Sequence, residues 1–143
     1  MGESSPGANE SRVPACMREA ATHYDVPLII VRAVRHAENG RVETVEEARH
    51  NTNGTRDYGP MQINSIWVEE LRKKGASITA EQLAGDYCTN VWVGVWRLAD
   101  EIEDAGSLWK GVGNYHSRTE HLHKRQIRRV WEWVKRLRGN SQP

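Results

Sequence analysis

Apolar residues recur at helical spacing over most of this chain. Cys16 to Tyr24 is a short amphipathic stretch. Val26, Ile29, Ile30, Ala33, Val34 and Ala37 then fall on one helical face. Pro27 lies in the first turn of that helix, where a missing N–H is tolerated, and Gly40 is its predicted stop. Glu38 lies four residues beyond Val34 and eight beyond Ile30, so it prolongs the buried stripe at the helix's C-terminal end. Between Arg41 and Asn64 the helical period is lost. Asn51-Thr52-Asn53-Gly54-Thr55 carries an Asn-Gly turn signal, which predicts a small β-hairpin or irregular sheet ending near Gly59-Pro60.

Helices resume from about Ser65 to Lys74, closed by Gly75. Thr79 with Gln82 reads as a capping box opening a short helix. A long helix follows from about Asp86 to Asp104, with Val91, Val95, Leu98 and Ile102 on one face. Ser107 to Tyr115 predicts a short helix. Glu120 to Arg138 predicts a final amphipathic one through Ile127, Val130, Val134 and Leu137. With no repeat or internal linker, the class is α+β, dominated by helices, in one domain over residues 13–138. Residues 1–12, rich in Gly, Ser, Asn and Glu, are expected to be disordered, and residues 139–143 to be a tail.

Composition narrows the function classes. A chain of 143 residues has room for one core, and a net charge of +1 from 20 basic and 19 acidic residues gives no global case for nucleic acid. The longest apolar run, from Val26 to Val31, breaks at Arg32, far short of the roughly 20 residues of a membrane span. The first dozen residues lack the apolar stretch of a signal peptide, so the protein is either cytoplasmic or has lost its signal. Cys16 and Cys88 are compatible with free thiols or, in an oxidising compartment, with a disulfide, and no spacing rule chooses between them.

The candidate chemistry begins at Glu38. A carboxyl on an apolar helix face, near the negative end of the helix dipole, has two reasons to hold its proton near neutral pH, as a general acid must. The bland alternative is a surface glutamate at a fraying helix end, and spacing alone does not exclude it. His116, His121 and His123 do not amount to a metal set, so no metal and no cofactor are expected. Trp92, Trp96, Trp131 and Trp133 lie on helical segments and read as core or half-buried packing, whereas Trp67 and Trp109 are the better groove candidates. The basic residues of the last helix read most simply as a solvated face, with an anionic polymer or a partner protein as the functional alternative.

Three ordered segments add a resemblance. Glu38-Asn39-Gly40, Gly59-Pro60-Met61-Gln62-Ile63-Asn64 and Asn114-Tyr115-His116-Ser117 resemble the Glu-Ser-Gly, Gly-Leu-Met-Gln-Ile-Asn and Asn-Tyr-Asn-Ser-like segments of bacterial lytic transglycosylases, in the lysozyme-like superfamily. The likeness spans roughly Cys16 to Val130, and the stretch from Asn51 to Trp67 resembles the active-site hairpin of that superfamily. It implies a lysozyme-like, mainly helical domain with a small β-hairpin beside an active-site groove. Glu38 would then be the catalytic acid acting on the MurNAc-GlcNAc bond of peptidoglycan, closing a 1,6-anhydro end without water or metal. Gln62, Asn64, Tyr115, His116 and Trp67 would bind the glycan. Met61 belongs to the same binding segment, its side chain, with that of Ile63, packing beneath the groove on strand alternation. Asp57 matches the second carboxylate of lysozymes, so a lysozyme-type hydrolase is the alternative, and a non-catalytic glycan-binding assembly module is another.

The small transglycosylases that accompany type III and type IV secretion, conjugation and pilus systems are the subgroup most resembled. They share cysteines at the places of Cys16 and Cys88, the second followed by a run like Val93-Gly94-Val95-Trp96. That implies a Cys16–Cys88 disulfide, components of such a system as partners, and a periplasmic or exported protein whose signal has been removed.

Overall fold

Local chemistry at element ends shapes this fold, here a computed structural model that describes residues 13–141. In chain order the elements are α1 (Ala15–Tyr24), α2 (Leu28–Glu38), β1 (Arg49–His50), β2 (Arg56–Tyr58), β3 (Ile63–Asn64), α3 (Ile66–Lys73), α4 (Ala80–Gly85), α5 (Tyr87–Ala105), α6 (Leu108–His116) and α7 (Glu120–Ser141). Residues 13–37 and 95–141 belong to one compact unit and residues 38–94 to a second. The disorder expected for residues 1–12 lies outside the described residues, as do residues 142–143. Cys16 and Cys88, the chain's two cysteines, are disulfide-bonded.

In the first unit, α2 buries Ile30, Val31, Ala33, Val34 and Ala37, the stripe its periodicity predicts. The helix does not stop at Gly40. Asn39, with φ 55°, takes the left-handed position after the last helical residue, a conformation asparagine tolerates better than other side chains. Gly106, at φ 72°, follows α5, and the Ser107 hydroxyl caps α6 by accepting the Lys110 N–H at 3.2 Å. Helix α7 buries Val130, Val134 and Leu137 and runs on to Ser141, past the expected end at Arg138.

Trp131 and Trp133 are two positions apart on α7, so they point about 200° from one another. Trp133 is half-buried as expected, stacked on His36 at 4.3 Å with the Arg136 guanidinium 4.3 Å from its ring. Trp131 corrects its grouping with the packed tryptophans, because it is 40% exposed.

Burial first, then Arg35, Arg32 and Arg136, holds the His36 imidazole below its usual pKa of 6.5. The fold therefore favours neutral His36. This stabilisation is complete above pH 6.5 and is lost as pH falls from there through the lower folded value, because the unfolded chain takes up the proton first. Thermal unfolding followed from roughly pH 8 to pH 5 should show this fall. His36→Phe, which keeps an aromatic face against Trp133, should flatten it.

The second unit holds a three-stranded antiparallel sheet in the order β1-β2-β3, with Arg49 opposite Asp57, His50 opposite Arg56, Asp57 opposite Asn64, and Tyr58 opposite Ile63. The predicted turn joins β1 to β2. Gly54 has φ 87° and donates to the Asn51 carbonyl at 3.0 Å, while the Asn51 N–H reaches the Thr55 carbonyl at 2.8 Å. The sheet does not end at Gly59-Pro60. Gly59 (φ 71°) and Gln62 (φ 54°) reverse the chain there and add β3, and a left-handed glutamine leaves no turn signature in a sequence. Thr79 and Gln82 form the predicted capping box, with the Gln82 N–H bonding the Thr79 hydroxyl at 3.1 Å and the Thr79 N–H bonding Gln82 Oε1 at 2.9 Å. Among the described residues no helix is long and apolar enough to cross a membrane.

Candidate active site

Strand alternation sorts the hairpin into two faces. Tyr58 and Ile63, opposite one another, are 4% and 1% exposed, while the half-buried Asp57 and Asn64 share the other face. Asn64 Nδ2 donates to Asp57 Oδ1 at 3.1 Å and to Thr55 Oγ1 at 3.0 Å, and its Oδ1 accepts the Ile66 N–H at 3.0 Å. The amide therefore fixes the direction of the Asp57 carboxylate and also anchors the start of α3.

The turn between β2 and β3 is held from beneath by Asn90 of α5, which is 0% exposed. Its Oδ1 accepts the Met61 N–H at 2.7 Å, and its Nδ2 donates to the carbonyls of Tyr58 at 2.8 Å and Leu83 at 2.9 Å. A Cβ on Gly59 would lie 2.2 Å from Asn90 Nδ2, so this position needs glycine for space as well as for its positive φ. Met61 is 0% exposed, and a Cβ on Gly94 would meet it at 2.7 Å. Met61 does pack beneath, but from the turn and not from strand alternation as expected, and its buried side chain offers no surface to a ligand.

Glu38 is half-buried at the end of α2 and enters this assembly through Gly40. A Cβ on Gly40 would stand 2.0 Å from the Gly59 carbonyl oxygen and 2.6 Å from Gln62 Nε2. Gln62 itself donates from Nε2 and from its backbone N–H to that same Gly59 carbonyl, each at 3.0 Å. The Glu38-Asn39-Gly40 segment thus rests on the turn that carries Gln62, two residues before Asn64. Because the clash is with backbone, Gly40→Ala should cost about 1–3 kcal/mol of stability, read as a lower urea midpoint. Gly54→Ala has nothing within 4 Å of the added Cβ and isolates the strain of a positive φ from the clash.

In the first unit, Tyr115 is 8% exposed near the end of α6, with the Arg97 guanidinium 5.3 Å from its ring. Arg97 pairs with Glu101 at 2.9 Å, and Glu101 also takes Arg118 at 2.8 Å. His116, the last residue of α6, is exposed. His123 is structural: a Cβ on Gly113 would meet its ring at 2.4 Å, and its Nδ1 lies 3.2 Å from the Ser117 carbonyl. Among the described residues no group of three or more His, Cys, Asp or Glu side chains is arranged to hold a metal. Trp67 on α3 and Trp109 on α6 are both half-buried.

Two contributors escaped the sequence reading. Asn90 stands out only as an amide on an apolar helix face. Arg129 read as part of a solvated basic face, yet its guanidinium donates to the Ala37 carbonyl. That carbonyl is one of the last of α2, one peptide before Glu38, where a cation also complements the helix dipole.

The Transglycosylase SLT domain family matches residues 15–132. Invasion protein IagB of Salmonella typhimurium (strain SL1344) is 38% identical over 96 residues, covering 64% of this chain and 59% of that protein. Protein IpgF of Shigella flexneri is 30% identical over 111 residues, 78% of this chain and 70% of its own length. A peptidoglycan-binding-like protein of Escherichia coli O157:H7 is 27% identical over 106 residues, 72% of this chain and 64% of its own. This chain therefore spans under two thirds of the Salmonella relative it matches.

Proposed function

The chain belongs to the Transglycosylase SLT domain family, and from that premise we propose that it is a peptidoglycan lytic transglycosylase with Glu38 as its acid and base. Glu38 protonates the oxygen bridging MurNAc and GlcNAc, and the C1–O bond breaks. The carboxylate then removes the proton of the muramic acid 6-hydroxyl as that oxygen bonds to its own C1. The product is a 1,6-anhydro end, Glu38 regains its proton, and no water enters. One observation carries this reading: Gly40 seats the Glu38 segment on the Gly59 carbonyl beside Gln62, joining the acid to the turn that presents Gln62 and Asn64. Gln62, Asn64, Tyr115, His116 and Trp67 are the glycan-binding residues of this proposal. Asp57, held by Asn64, is the candidate second carboxylate of the alternative reading, lysozyme-type hydrolysis.

The relatives support the biological setting. One is named for invasion and one for peptidoglycan binding. The proposed role is local opening of the cell wall for a secretion or conjugation apparatus, in the periplasm or beyond, where the Cys16–Cys88 disulfide persists.

Digestion of purified sacculi followed by mass analysis tests the reaction. Muropeptides lighter by one water support transglycosylation, whereas reducing ends assign the chemistry to Asp57-assisted hydrolysis. No release at all points to a non-catalytic glycan-binding module.

A further inference from the structure

The positive charge of this nearly neutral chain is gathered on one helix. Helix α7 holds seven basic and two acidic side chains, an excess of five, against a net +1 for the whole chain. Lys124, Arg128, Trp131, Lys135 and Arg138 follow one another at steps of four, three, four and three, which places them on a single face. All five are exposed. At 1.5 Å per residue the stripe is about 21 Å long.

Trp131 lies in the middle. Its indole meets Trp109 of α6 edge-on, with centroids 5.9 Å apart. The Lys135 ammonium and Arg138 guanidinium lie 6.0 and 5.9 Å from its ring. A merely solvated face accounts for the charges but not for a large exposed aromatic between them. The ion pairs from Lys124 to Glu120 and from Lys135 to Glu132 are exposed and weak, so both cations remain available to an anion.

We propose that this stripe is an accessory binding surface for the peptidoglycan strand. The inference rests on the reading that the chain acts on peptidoglycan. Charge complementarity and the aromatic centre argue for that occupant: the strand carries stem-peptide carboxylates for Lys124, Arg128, Lys135 and Arg138, and apolar sugar faces for Trp131. The stripe recruits the enzyme to the insoluble wall and leaves bond cleavage to the Glu38 site.

Co-sedimentation with purified sacculi tests this, using Glu38→Gln so that the polymer stays intact. On that background, Arg128→Gln/Trp131→Ala/Lys135→Gln/Arg138→Gln should bind at least about tenfold more weakly, and parental binding should weaken as salt rises. With Glu38 restored, the quadruple variant should cleave short soluble glycan fragments at the parental rate while its KM on sacculi rises. Trp131→Ala alone should weaken sacculus binding yet keep its salt dependence. Unchanged sacculus binding by the variants, or salt-independent parental binding should the quadruple variant fail to fold, overturns the inference. So does a loss confined to vesicles of acidic phospholipid. If the parent enzyme releases nothing from sacculi, the catalytic reading has failed instead, while sedimentation still tests the stripe, and the two failures are distinguishable.

Discussion

Glu38→Gln should release no measurable muropeptides from sacculi and should melt close to the parent temperature. The substitution preserves the length and shape of a half-buried side chain, so packing at the end of α2 is retained. What it removes is the proton. In the proposed reaction the same group first donates to the glycosidic oxygen and then accepts from the 6-hydroxyl, so an amide fails at both steps. General acid–base catalysis contributes about 10²–10⁴-fold, and loss of both roles should reach the upper part of that range. Mass analysis of a prolonged digest measures it. Residual activity within tenfold of the parent would remove Glu38 from the mechanism, whichever product is formed. A matching Asp57→Asn digest then reads the second carboxylate: anhydro products persist if Asp57 only braces the hairpin with Asn64.

The largest loss of stability should follow Asn90→Leu. The side chain is fully buried and satisfies three backbone groups, the Met61 N–H and the Tyr58 and Leu83 carbonyls. Leucine fills a similar volume and removes all three of these bonds from the interior. At about 1–3 kcal/mol for each buried bond lost, the sum is about 5 kcal/mol, comparable with the whole stability of many domains. Gly59 passes too close to Asn90 for water to take its place. Urea unfolding should register this as a collapse of the midpoint or as failure to accumulate folded protein. Asn90→Asp keeps the acceptor for Met61 but turns a buried carboxylate oxygen towards the Tyr58 and Leu83 carbonyls, so it should be no milder. Equal stability of Asn90→Leu and the parent would refute the view that this amide holds the turn.

The two residues differ in how far the sequence reveals them. Glu38 stands out because α2 has an unbroken apolar stripe that ends on it and because three ordered segments resemble one family. Asn90 is silent because its partners lie 29 and 32 residues back in the chain for the turn and 7 back for Leu83. Helical periodicity records which face is buried, not what a buried amide bonds to. Arg129 is an extreme case, bonding a carbonyl 92 residues away, and no local pattern separates it from the solvated arginines beside it.

What the sequence determined by itself is what short-range chemistry controls: the seven helices of the described residues, the Thr79 capping box, the Asn-Gly turn and the order of the segments bearing Glu38, Gln62 and Tyr115. Each depends on groups a few residues apart, where propensity, capping and side-chain period act directly. Only the tertiary structure decided the third strand, the seating of Gly40 on the Gly59 carbonyl, the burial of Met61 in a turn and the exposure of Trp131. Those features depend on which distant backbone approaches which side chain, and that is set by the packing of whole elements.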